Sequence, residues 1–150
     1  MLGLQAKLWG IFLTVFGIVS MGILATWVTD RYPPVETIRI EIDPRPVQPG
    51  EQMKVQYDVI RHRVCETLYF QTLIDGAGVR WDLPELRLEV RPTDLGEERR
   101  AVAVTIPDKS AVGNAIYRNL RRYYCNPLQR LFNWPIVTAS PNVAFHIASR

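Results

Sequence analysis

From Leu8 to Val28 the chain runs for 21 residues without an ionisable side chain. A helix rising about 1.5 Å per residue crosses the roughly 30 Å hydrocarbon core of a bilayer in about 20 residues, so this run predicts a single transmembrane helix. Trp9 and Trp27 stand near its ends, where indole rings favour the interface, and Lys7, Asp30 and Arg31 close the flanks. A cleaved signal peptide is the competing reading, with small residues at Ser20 and Gly22. Its apolar stretch normally spans about 7–15 residues, shorter than this one, and the expectation is a retained helix.

After Pro33-Pro34 the hydrophobic period becomes two. Ile38, Ile40 and Ile42 alternate with Thr37, Arg39 and Glu41, and Met53, Val55, Tyr57 and Val59 alternate with Lys54, Gln56 and Asp58. Further strands are predicted over Cys65 to Asp75, over Leu86, Leu88 and Val90, and over Val102, Val104 and Ile106. Two more follow, from Ala115 to Cys125 and over Val143, Phe145 and Ile147. Pro44, Pro46, Pro49-Gly50, Gly76-Ala77-Gly78 and Pro107-Asp108 punctuate them. The expected organisation is a tail and helix over residues 1–30, a linker over 31–36 and a β-domain over 37–150. Seven short strands in about 115 residues predict an all-β, antiparallel, seven-stranded sandwich.

With this strand count, the turn Gln48-Pro49-Gly50-Glu51 and the spacing of Tyr123 and Cys125, the chain resembles the immunoglobulin-like superfamily. Trp81 and Cys65 lie upstream of that tyrosine, but Cys65 opens strand three instead of standing within strand two. The inter-sheet disulfide of antibody domains is therefore not carried over. In the resembled topology strands three and six are antiparallel neighbours, which implies that Cys65 and Cys125 meet and bond. The same topology implies that the connection Asn126 to Pro135 lies at the helix end of the domain. Its Leu128, Leu131, Phe132 and Trp134 are then expected either to contact the lipid interface or a membrane partner, or to fold inward and close the bottom of the core.

Composition changes the picture in one respect. The chain has 150 residues, 47% hydrophobic and 22% charged, with a net charge of +3. Lys7 and Asp30 cancel within residues 1–30, so the whole excess lies on the β-domain, and it is too small to argue for nucleic acid. Lys and Arg near the helix ends lean slightly toward a cytoplasmic domain. An even pair of cysteines suits an oxidising compartment, and together with the layout of a signal anchor it predicts a single-pass membrane protein with its domain extracytoplasmic, periplasmic in a bacterium.

Candidate chemistry is sparse. Ala6, Gly10, Thr14 and Gly17 put small residues on one helix face, which suits packing against another helix or a second copy. Tyr117 to Tyr124 interleaves arginines with aromatics, but alternate strand residues face opposite ways, so the arginines form no single stripe. His62 and His146 lie far apart, no ligand spacing suggests a metal, and no nucleophile motif surrounds Ser110. The expectation is a non-catalytic structural or interaction protein of a bacterial or phage-encoded envelope type, without cofactor. The alternative is an accessory subunit of a larger membrane enzyme or transporter. Expected partners are membrane lipid and another membrane protein or a second copy, with no nucleic acid.

Overall fold

The computed structural model describes residues 2–43, 46–88 and 91–149. Pro44, Glu89 and Val90, and the side chain of Ala6, lie outside the described residues. Helix α1 covers Leu2–Thr29, and antiparallel β-structure accounts for most of the remainder. The described residues form nine strands, not seven: β1 Val35–Asp43, β2 Gln52–Arg61, β3 Glu66–Ile74, β4 Arg80–Asp82, β5 Leu86–Leu88, β6 Gly96–Thr105, β7 Gly113–Tyr124, β8 Ile136–Ala139 and β9 Val143–Ile147. The two unexpected strands, β4 and β8, have three and four residues, too few to display a period-two pattern. One sheet runs β1-β2-β6; in the other β3 and β7 are central, flanked by β4 and β5 on one side and by β8 and β9 on the other.

The two inner faces supply the core. Met53, Val55, Tyr57 and Val59 of β2 meet Leu73 of β3 and Ala115, Tyr117 and Tyr123 of β7. Burying such side chains stabilises by about 1.5–3 kcal/mol each. The register of β1 departs from the expected alternation. A bulge between Thr37 and Arg39 leaves Ile38 59% exposed, so Ile38 is not a core residue. On the same strand Thr37 accepts a hydrogen bond from the buried Arg121.

At the end of the sheets away from α1, Asp75 closes the turn after β3. Its Oδ1 accepts from the backbone N–H of Ala77 (3.0 Å) and Val79 (2.9 Å). Its Oδ2 accepts from Trp81 Nε1 (2.9 Å) and the Ala111 N–H (3.0 Å), linking two loops. A Cβ on Gly76 would stand 2.3 Å from the Val112 carbonyl oxygen, so the close crossing of these loops requires glycine. Burial alone would push the Asp75 carboxyl up, but the N–H donors of Ala111, Trp81, Val79 and Ala77 together hold it below the ordinary 3.8.

Asp75→Asn turns an amide N–H₂ toward donors that need an acceptor, and is expected to destabilise the full chain in detergent by about 2 kcal/mol in urea unfolding. A carboxyl depressed in the folded state contributes stability above its unfolded value and loses it as pH falls through the folded value. The wild-type chain should therefore lose stability relative to Asp75→Asn as pH falls below 3.8.

Candidate site at the end of the apolar helix

Helix α1 is long and apolar enough, over Lys7–Thr29, to cross a membrane, and none of that stretch is buried against the β-domain. The last carbonyls of any α-helix lack intrahelical partners. Here side chains from the connection between β7 and β8 supply two. Asn126 Nδ2 donates to the Trp27 carbonyl (3.1 Å), and Gln129 Nε2 donates to the Asp30 carbonyl (3.0 Å).

Those two residues are placed by a short helix, α2 (Pro127–Leu131). Asn126 is its N-cap, accepting from the Gln129 N–H (3.0 Å), and Pro127 occupies the first turn where a missing N–H costs nothing. Gln129 is 1% exposed, and its Oε1 accepts from the Cys125 N–H (2.8 Å) while its Nε2 reaches the helix end. Directly beneath, Cys125 is bonded to Cys65, with Cα atoms 4.4 Å apart. Pairing of β3 with β7, Glu66 opposite Tyr124, brings the two cysteines together. Cross-linking residues 60 apart stabilises by about 4 kcal/mol in the chain-entropy account.

Two arginines complete the junction. Arg63 Nη1 lies 2.7 and 2.6 Å from the Asp30 carboxylate oxygens, and its Nη2 donates to the Tyr32 carbonyl. Arg31 stacks 3.4 Å from the centroid of Trp134 and donates to the carbonyls of Trp134 and Pro135, both at 3.3 Å. Residues 30–32 are thus fastened from both sides, and β1 begins at Val35.

Of the apolar residues predicted for contact, Leu131 and Phe132 are 76% and 69% exposed, Trp134 is 48% exposed, and Leu128 is half-buried. They surround the same helix end. On α1, Gly10, Thr14 and Gly17 are exposed; a Cβ on either glycine would meet nothing within 4 Å, and Thr14 Oγ1 donates back to the Gly10 carbonyl (2.9 Å). Sequence reasoning missed Asn126, Gln129, Arg31 and Arg63. The signal for the first two is present in Asn126-Pro127-Leu128-Gln129, an N-cap residue, a first-turn proline and a glutamine at the third position. The arginines carry no local signal, since their partners are distant in sequence.

No family model matches this chain, and no curated protein matches it. Among solved structures it is similar to the Pseudomonas fluorescens alkylpurine DNA glycosylase AlkC bound to DNA containing an abasic site analog. The identity is 12%, the TM-score 0.41, and the match covers 76% of this chain and 30% of that one. The expected partners, membrane lipid and a membrane protein or second copy with no nucleic acid, are corrected here. That solved structure is bound to DNA, and the exclusion of nucleic acid, which rested only on mild charge and an assumed compartment, is withdrawn. At this TM-score the likeness assigns no DNA binding to the chain.

Gln129→Leu keeps the size of the side chain but strands the Cys125 N–H and the Asp30 carbonyl. It is expected to lower the urea-unfolding stability of the full chain by about 2–3 kcal/mol while mass spectrometry still finds the Cys65–Cys125 bond intact.

Proposed function

We propose that this chain is a non-catalytic, membrane-anchored structural or interaction protein that holds an extracytoplasmic, immunoglobulin-like β-domain at a fixed attitude to a bacterial envelope membrane. The junction at the end of α1 carries the reading. A domain that merely needs tethering can hang on a flexible linker, which costs nothing to leave unordered. Here two carbonyls at the end of α1, an Asp30–Arg63 ion pair and an Arg31–Trp134 stack tie the helix to the sheet.

The extracytoplasmic address is supported by the cross-strand disulfide, because such bonds persist in oxidising compartments. The immunoglobulin-like reading is supported by the antiparallel β3–β7 pairing and the two facing sheets, with Tyr123 two residues before Cys125. The interaction role is supported by the exposed Leu131, Phe132 and Trp134, which leave an apolar edge beside the helix end.

Protease added to intact spheroplasts of an expressing bacterium is expected to degrade the β-domain, and the same domain should be protected in inverted vesicles. Protection in spheroplasts with digestion in inverted vesicles would place the domain on the cytoplasmic side and end this reading.

A further inference from the structure

Between the sheets, cations outnumber acids. Arg61 and Arg121 are each 2% exposed. Arg61 donates Nε (3.4 Å) and Nη2 (3.2 Å) to Glu98, and Arg100 Nε (2.7 Å) donates to the same carboxylate. Arg121 has no ion pair among the described residues. Its Nη1 donates to Thr37 Oγ1 (2.7 Å), and the rings of Tyr57 and Tyr69 lie 5.1 and 5.6 Å from its guanidinium carbon. Its Nε and Nη2, the Nη1 of Arg61 and the Tyr123 hydroxyl are shielded from solvent and bond to no described residue. Tyr69 stands within electrostatic range of Arg121, Arg61 and Arg100, and of these three the carboxylates of Glu98 and Asp94 reach only Arg61 and Arg100, which leaves Arg121 without a counter-charge among the described residues.

Protein interiors satisfy such groups with protein atoms, water or an ion, and a buried charge without a counter-charge is the costliest case. Aromatic faces stabilise the plane of a guanidinium but leave its in-plane N–H groups unused. Water would fill the hydrogen bonds without neutralising the charge. The Nε–Nη2 edge of Arg121 presents two parallel donors, the spacing that a carboxylate accepts with both oxygens.

We propose that Arg121, with Arg61 beside it, holds one small monovalent anion of the carboxylate class between the two sheets. The tyrosine rings fix the guanidinium plane, Thr37 Oγ1 in the bulged strand β1 accepts the Nη1 hydrogen bond, and the free edge donates to the ligand. Arg100 and Glu98, only partly buried at the β6 edge, mark the side from which an ion enters. The site does not depend on the membrane reading.

Thermal unfolding of the full chain in detergent, in sodium formate, chloride or gluconate at one ionic strength, tests this. Formate should raise Tm over gluconate saturably, by about 4 °C, and by more than chloride does. Arg121→Met keeps an apolar stem between the tyrosines and should erase the formate effect. Equal Tm in the three salts, chloride matching formate, or an unchanged formate effect in Arg121→Met would overturn the proposal. Should Arg121→Met fail to fold, the ¹³C-formate resonance decides: broadening by the wild-type chain supports the site, and an unbroadened line overturns it.

Discussion

The amide of Gln129 joins the two halves of this protein. Its oxygen accepts from the Cys125 backbone at the end of the longest strand, and its nitrogen donates to the Asp30 carbonyl at the end of the apolar helix. A buried amide with both ends used is worth more than either bond alone, because losing one partner leaves the other group unsatisfied where water cannot reach. The disulfide fixes the end of β7, from which α2 leads off, and the Asn126 cap fixes the short helix that carries and aims this amide. Asp30–Arg63 and Arg31–Trp134 then limit rotation about the same point. The geometry makes helix and sheet one mechanical unit.

The interior of the β-domain is less ordinary than its strand pattern. The inward residues of β7 read Ala115, Tyr117, Asn119, Arg121 and Tyr123, polar for a core strand. Tyr57 and Tyr117 share a hydrogen bond of 2.9 Å across the two sheets, and Asn119 Nδ2 donates to Tyr57 (3.1 Å). Burial pushes both phenols up, so they stay neutral. This network positions the ring that lies beside Arg121. Its geometric demands are directional, whereas packing of Val55 or Leu73 is not, and they fix how the two sheets face each other.

Much of the frame is legible in the chain. The uninterrupted apolar run marks α1, and period-two alternation marks β2, β6, β7 and β9 because one face of each is buried. What escapes it has physical causes. Strands β4 and β8 are too short to show a period, and the bulge in β1 reverses Ile38 and Thr37 against their spacing. Alternation correctly separates Arg121 from Arg118 and Arg122, yet it implies that the inward residue is apolar. A buried arginine is visible only once Tyr57, Tyr69 and Thr37, from three other strands, surround it. The junction behaves alike: Asn126 and Gln129 follow a local capping pattern, but their use against residues 99 positions away comes from the fold.

A distance distribution between one spin label at exposed Leu24 on α1 and another at exposed Glu97 on β6, measured on the full chain in nanodiscs, tests the rigid junction most directly. A helix and sheet fastened through Gln129, Asp30 and Arg31 predict a single narrow distribution. A broad one, with the disulfide intact, would show that the domain swings on its tether and would contradict the account.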